Sequence, residues 1–336
     1  MFAYELQGGF GPENLVKVER PTPEVGPDEV LVRLRAASIN YRDLLVVRGQ
    51  YNPRQTLPLV PLSDGVGEVV ATGADVKSFD IGDRVCPIFA QAWQAGSPDA
   101  AILKSTLGSP NDGVLREFGA FHESGLVHAP ANLSDIEAAC LPCAAVTAWS
   151  ALVTQGGVAA GDTVLLQGTG GVSTFALLFA KAIGANVIIT SSSDDKLDRA
   201  RILGADLTIN YKETEAWGKA ARKMTGGRGV DHVVEVGGAG TLTQSLKAIR
   251  PGGTISVIGV LSSAREPLNI LPILMQNIRL QGVFVGHKES FVAMNRAIEH
   301  LDIHPVLDHS FPASDITQAL DRMAAGAHMG KIALTL

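Results

Sequence analysis

Cysteine is scarce in this chain of 336 residues. Only Cys86, Cys140 and Cys143 are present, and three thiols cannot build a disulfide framework. A long apolar run is missing as well: "ALLFAKAIGANVII" is broken by Lys181, Gly184 and Asn186, short of the roughly 18 uninterrupted residues a membrane span requires. The N-terminal "MFAYELQGGFG" has neither the basic stretch nor the apolar core of a signal peptide. Positive charge is in deficit, with 28 Lys and Arg against 34 Asp and Glu, and no long basic run occurs. A net charge of −6 argues against nucleic acid as a partner. These absences lead to the expectation of a soluble cytoplasmic protein with no membrane or nucleic-acid partner.

What is present suits two domains. The length exceeds one small core, and hydrophobic residues at 46% with charged residues at 18% describe an ordinary globular chain. The first third consists of short β-branched runs closed by Gly, Pro and Asp, such as "VLVRLRAASIN" and "GVGEVVATG", and reads as an all-β module. Residues Gln91 to Asp112 mix polarities and carry several turn formers, which predicts a loop. From Ser134 the character changes to a helix-rich stretch, with Ser134 and Glu137 spaced as a capping box. Six short apolar strands then alternate with helices: Thr163 to Gln167, Val187 to Thr190, Leu207 to Ile209, His232 to Val236, Thr254 to Ile258 and Leu280 to Val285. Helical spacing joins Phe175, Phe179 and Ile183, and again Leu242, Leu246 and Ile249. Continuous apolar strands between amphipathic helices predict an α/β, doubly wound parallel sheet. The tail, from about Gly286, is too short for a third domain and is expected to rejoin the β module.

Gly168, Gly170 and Gly171, followed by Val172, sit directly after the first of these strands and open a helix. Glycine there allows a tight turn and close approach of a pyrophosphate, and the helix N-terminus offers amide donors. Ser173 stands at the third glycine of the dinucleotide pattern, small enough for close helix–sheet packing. An acid about 20 residues later would bind the ribose hydroxyls, but the second strand ends in Thr190, Ser191, Ser192 and Ser193. Lys196 follows in the first turn of the next helix, where the macrodipole disfavours a cation unless an anion is near. Two readings stand: a 2′-phosphate beside Lys196, or Asp194 and Asp195 neutralising it and reaching the ribose. The serines favour NADP(H), with NAD(H) as the alternative.

The segments "ASINYRDLLVVRGQY", "PLSDGVGEVVATG", "GDRV", "LPCAAVTAWSAL", "GTGGVSTFALLFAKAIGA", "GADLTINYKE", "TGGRGVDHVVEVGG", "RPGGTISVIGVLS" and "GKIAL" are spread along the chain. On these the sequence resembles the medium-chain dehydrogenase/reductase superfamily, most closely its zinc-independent quinone oxidoreductase-like branch. The resemblance implies a GroES-like, mainly β catalytic domain over 1–125 and 287–336 and a Rossmann domain over 126–286. It also implies that Lys196 and Tyr211 bind the 2′-phosphate and that Thr147 packs near the nicotinamide. Val236 and Gly237, Gly259 and Val260, and Phe284 and Val285 would line the cofactor trough, and Lys331 would lie close to the cofactor phosphates. Family members commonly pair the edge of the sheet formed by the sixth strand, so a homodimer is expected.

Zinc-bearing members of the superfamily place a Cys at the "INYRD" position, a His-Glu pair near "LSDGVG" and a later Cys or Asp. This chain has no cysteine in the first segment and Ser63 and Asp64 in the second, so Cys143 alone matches a ligand. One ligand cannot hold a catalytic Zn²⁺, which takes three plus an open position, and no zinc is expected. Without that Lewis acid, the chemistry that fits is hydride delivery to an electron-poor small molecule, a quinone or an α,β-unsaturated carbonyl. Candidate groups are Asn40, Tyr41, Asp43 and Tyr51: Asn40 bonding substrate or cofactor, Asp43 anchoring the loop through Arg42 or Arg48, a tyrosine donating to an enolate oxygen. The same residues also suit a plain turn and a pocket wall. Oxidation of an alcohol without zinc and a non-catalytic nucleotide sensor are the competing functions.

Overall fold

Alternating buried and exposed positions set the strands of the first part of the computed structural model, which describes residues 1–262 and 264–336. β1 (Phe2–Leu6) and β2 (Leu15–Glu19) form an antiparallel hairpin. β3 (Glu29–Ile39), β4 (Asp64–Thr72), β5 (Arg84–Pro87), β6 (Phe118–His122) and β7 (Leu126–His128) follow, as the β-branched runs predict. β3 serves two partners on one edge: its Glu29–Arg33 half pairs β6, and its Ala36–Ile39 half pairs the last strand of the chain. The expected loop over 91–112 contains only a short helical turn, Ile102–Lys104, and isolated bridges.

The second part is the doubly wound sheet. Its strands are β8 (Thr163–Gln167), β9 (Asn186–Ser191), β10 (Leu207–Asn210), β11 (Val230–Glu235), β12 (Ile249–Val257) and β13 (Arg279–Gly282). All pairs are parallel, in the order β10-β9-β8-β11-β12-β13. That is the 3-2-1-4-5-6 order of dinucleotide-binding folds, with its switch point between β8 and β11. The helix Gly171–Ile183 buries Phe175 and Phe179 and ends at Gly184, whose φ of 89° is the left-handed conformation of a C-cap. One expectation is corrected here. Ile249 begins β12 instead of closing the helix before it, which ends at Ala248. Pro251 is the physical reason: it disfavours the helical region at Arg250, so the helix has to end before that residue.

The tail helix Lys288–Leu301 leads to β14 (Leu307–Pro312), the helix Ile316–Ala324 and β15 (Lys331–Thr335). β15 pairs β3, so the tail completes the first sheet as expected. The chain divides into a unit of Met1–Val146 with Gly286–Leu336 and a unit of Thr147–Val285. The first break falls at Val146 where 125 was expected: β7 pairs β5, and the helix Asp135–Ala138 and the turn Leu141–Ala145 that follow pack on β3 and β4. No helix among the described residues is long and apolar enough to cross a membrane. β13 is an edge strand, and Leu271, Leu274 and Met275 just before it are exposed.

Between β11 and β12, His232 is buried with Nε2 3.0 Å from the Ser256 hydroxyl. Burial, with a smaller contribution from Arg279, pulls its pKa down to about 4. The folded state thus prefers the neutral ring, while the unfolded chain takes up a proton near pH 6.5. Stability is lost as pH falls from about 6.5 towards 4, by about 3 kcal/mol in all. Urea unfolding at pH 7 and pH 5 should show a smaller loss for His232→Gln than for the wild type. Equal losses would mean that His232 is not the acid-sensitive group.

Candidate functional site

In the second unit the glycine turn is open. Gly168 has φ of 69°, and a Cβ on Gly168 or Gly170 would meet nothing within 4 Å. Gly170 is the N-cap of the helix Gly171–Ile183 and supplies no capping side chain, so the first-turn amides there, with half-buried Val172, have no side-chain acceptor from the cap. The Ser173 hydroxyl donates to the Gln167 carbonyl at 2.6 Å, tying helix to strand where the motif has its third glycine. An open turn with uncapped amides fits a pyrophosphate.

Ser191, buried, ends β9, and Ser192 follows half-buried. Ser193 caps the next helix, accepting from the Lys196 amide at 3.4 Å. Tyr211 donates its backbone N–H to the Ser191 carbonyl at 3.0 Å, with its ring exposed. The structure therefore gathers Ser191, Ser192, Lys196 and Tyr211 at the carboxyl ends of β9 and β10. Asp194 is engaged by the Asn210 amide at 2.9 Å, a role the sequence did not show.

Among the residues expected to line a cofactor trough, close backbone packing fixes one position. A Cβ on Gly259 would lie 2.5 Å from the Val236 carbonyl, a close approach only glycine permits. Val260 is exposed, Thr147 is buried, and Phe284 is half-buried. Val285 takes φ of 53°, a left-handed conformation costly for a β-branched residue and of the kind that collects at functional sites. Sequence reasoning missed Gln167 and Glu235, buried at the carboxyl ends of β8 and β11. A polar residue closing an otherwise apolar strand was the available signal.

In the first unit Asn40 caps the helix Tyr41–Val47, and its backbone N–H donates to Asp43 at 2.8 Å. Asp43 is fully buried, and desolvation pushes its pKa up to about 6 against the opposing pull of Arg42. Arg42 lies 3.4 Å from Asp43 and donates to the carbonyls of Leu107 and Ser109 at 3.0 and 3.1 Å. Its guanidinium stands 4.8 Å from the ring centres of both Tyr51 and Phe89. Arg42 thus ties the turn at Asp43 to the carbonyls of Leu107 and Ser109, and the same guanidinium faces the Tyr51 ring. Tyr51 and Tyr41 both expose their phenols.

Lys331 lies in this unit, 2% exposed. Its ammonium donates to the Ile39 carbonyl at 2.9 Å and to Asn40 Oδ1 at 2.6 Å, and stands 3.8 Å from Asp64 Oδ2. It was expected near cofactor phosphates, but the ammonium is already engaged by protein acceptors. Asp64 also accepts from the Ser63 hydroxyl at 2.7 Å and the Cys143 backbone N–H at 3.1 Å. Cys143 lies in a π-helical turn, Leu141–Ala145. Burial raises the pKa of its thiol and takes that of Cys140 to about 12, so neither is a thiolate at neutral pH. The Asn40 amide, oriented by Lys331, has a buried Nδ2 without a hydrogen-bond partner. His287 is a helix cap, accepting from the Ser290 N–H at 3.1 Å and meeting Trp93 edge-on.

Removing one member of a buried ion pair strands the other charge, at about 3–5 kcal/mol. Lys331→Met should lower unfolding stability by that order. Lys331→Met with Asp64→Asn should recover part of the loss, because no uncompensated charge remains. Additive losses in the double variant would show that the pair is not coupled.

Comparison with known proteins matches the model for the GroES-like domain of alcohol dehydrogenases to residues 26–131 and that for zinc-binding dehydrogenases to residues 171–300. A zinc-type alcohol dehydrogenase-like protein of Schizosaccharomyces pombe is 45% identical over 333 residues, 97% of this chain and 96% of that protein. A crystal structure of a proposed alcohol dehydrogenase from Sinorhizobium meliloti 1021 superposes with TM-score 0.93 at 41% identity, covering 100% of this chain and 98% of that one. A 2-octenoyl-CoA carboxylase reductase, solved with NADP and 2-octenoyl-CoA, gives TM-score 0.87 at 27% identity, over 99% and 87% of the two chains. Likeness of that extent, on both domain models and on the observed strand order, makes the chain an oxidoreductase of the medium-chain dehydrogenase/reductase superfamily.

Proposed function

We propose that this oxidoreductase works without zinc, taking hydride from NADPH and delivering it to an α,β-unsaturated carbonyl or a quinone. The observation that carries the reading is the cluster around Asp64. In the family's zinc-bearing members this region supplies metal ligands. Here Asp64 is taken up by the Ser63 hydroxyl, the Cys143 N–H and the Lys331 ammonium. Among the described residues no three His, Cys, Asp or Glu side chains are disposed around a common point. This donor set does not fit Zn²⁺, which needs three deprotonated ligands.

The residues do fit a dinucleotide. Gly168, Gly170, Gly171 and Val172 would take the pyrophosphate, and Ser191, Ser192, Lys196 and Tyr211 a 2′-phosphate. A bound nicotinamide supplies the hydride. The protein's own groups then have to orient the acceptor, exclude water and meet the developing negative charge. Asn40, with its amide orientation fixed by Lys331, and the exposed phenols of Tyr41 and Tyr51 are the donors of the first unit available for that oxygen. The reductase bound to NADP and an enoyl thioester supports this acceptor class. Oxidation of an alcohol is the second reading, favoured by the name of the S. pombe relative.

Chelator-treated protein should oxidise NADPH faster than NADH across a panel of quinones and enones. Lys196→Ala should raise the KM for NADPH about tenfold and leave that for NADH nearly unchanged, as loss of one charge-assisted phosphate contact requires. Loss of activity on chelation, restored by Zn²⁺, would overturn the zinc-free reading. Turnover only with alcohols and an oxidised cofactor would replace this function with the second.

A further inference from the structure

Gln167 closes β8 and Glu235 closes β11, the two neighbouring strands at the switch point of the sheet. Each is followed at once by a turn assigned above to the cofactor: Gly168–Gly171 after Gln167, and Val236–Gly238 after Glu235. Both side chains are buried, Glu235 completely. Five donors converge on the Glu235 carboxylate. They are the Gln167 side-chain amide at 2.6 Å, the backbone N–H groups of Gly237 and Gly238 at 2.9 and 3.0 Å, and the hydroxyls of Thr241 and Ser245.

Gln167 is held in one orientation by the same network. Its Oε1 accepts from the N–H groups of Val236 and Gly237 at 3.3 and 3.2 Å, and its Nε2 also donates to Ser245 Oγ at 2.8 Å. Gly237 is fixed from both sides. A Cβ there would lie 2.2 Å from Thr241 Oγ1, and its carbonyl accepts from the N–H and hydroxyl of Ser262 at 2.9 and 2.8 Å. Burying a carboxylate is costly, and an apolar pair of similar volume would hold two parallel strands together as well. A fully satisfied polar network does something an apolar one does not: it specifies a single relative position of the groups it joins.

We propose that Gln167 and Glu235 are a positioning pair that fixes the offset between the glycine turn and the Val236–Gly238 turn, and so sets how tightly a dinucleotide is held across them. The inference rests on the cofactor reading above. Neither side chain needs to touch the cofactor. Both act through the backbone amides they hold.

The chemistry of the pair gives the test. In Glu235→Gln an amide nitrogen is set against the Gln167 amide and two backbone N–H groups, with only the Thr241 and Ser245 hydroxyls able to accept, and in Gln167→Glu two carboxylates face each other. Either change should weaken NADPH binding at least about tenfold, read by nucleotide fluorescence titration, at temperatures where circular dichroism shows the variant folded. The exchanged double variant, Gln167→Glu with Glu235→Gln, restores one carboxylate opposite one amide and should return the Kd to within about threefold of wild type. Thr241→Val removes one donor with little change of shape and decides the matter if Glu235→Gln does not fold; it should weaken binding about threefold or more. A merely structural role would lower the melting temperatures and leave the Kd of the folded variants and the KM for NADPH unchanged. That result overturns the proposal, as does an exchanged variant no better than either single one. Wild-type protein that binds neither NADPH nor NADH overturns the cofactor reading and this inference with it, whereas normal wild-type binding with unaltered variants overturns the pair alone.

Discussion

Lys331 carries its ammonium into the interior of the β unit, and the arrangement of the candidate site follows from the need to satisfy it. An isolated buried cation costs far more than a domain's net stability, so acceptors must be brought to it. β15 lies beside β3, which puts Lys331 at the level of Ile39 and Asn40, and both supply oxygen atoms. Asp64, at the start of β4 on the other side of β3, supplies the countercharge. One amide then has only one orientation left. With Oδ1 of Asn40 committed to the ammonium, its Nδ2 is presented as a donor. The cap of the Tyr41–Val47 helix, the burial of Asp43 and the clamp of Arg42 on Tyr51 are built outward from that point.

The Rossmann unit meets a different constraint. Parallel strands bury both faces, so polar groups are most cheaply placed at strand ends, where chains leave the sheet. Those ends carry the glycine turn after β8, the serines that close and follow β9 and the Val236–Gly238 turn after β11, the segments proposed to hold the cofactor. Glu235 and Gln167 sit one residue inside this boundary, and every polar atom they bury has a partner. His232, deeper in the same strand, shows the cost of going further in. It is retained only as a neutral ring paired with Ser256.

The fold was largely legible because its signals are local. β-Branched alternation marked β3 and β4, and apolar runs marked the six parallel strands to within a few residues. The capping box of Ser134 and Glu137 forms as its spacing suggested. Errors fell where a long-range pairing or a single residue overrode the pattern. Pairing with β5 drew β7 into the first unit, and Pro251 ended a helix that apolar spacing would have continued. Of the candidate site, the glycines, the serines with Lys196 and the "INYRD" segment were legible in the residues, and Thr147, Tyr211, Lys331 and the trough residues only through the resemblance. Lys331 and Asn40 are separated by 291 positions and Gln167 and Glu235 by 68, and no periodicity within the chain relates them. Such pairs are created by topology, so they become visible only when the strands are placed side by side.

Under the proposed zinc-free reading, the lysine beside Asp64 has a chemical consequence. An ammonium can neutralise Asp64 and orient Asn40, but it opens no coordination site for an alcohol oxygen and cannot polarise a carbonyl as a divalent cation does. Transition-state stabilisation must then come from neutral donors, each worth a few kcal/mol at best. An isolated ketone, reduced without stronger help, would develop a localised alkoxide that such donors meet poorly. A conjugated acceptor spreads the incoming charge along an enolate, and a quinone spreads it over a ring, so less is asked of any one protein group. Under the proposed reading the electronic character of the substrate makes up for what the donor set lacks, and acceptors that are already activated are the ones such donors suit.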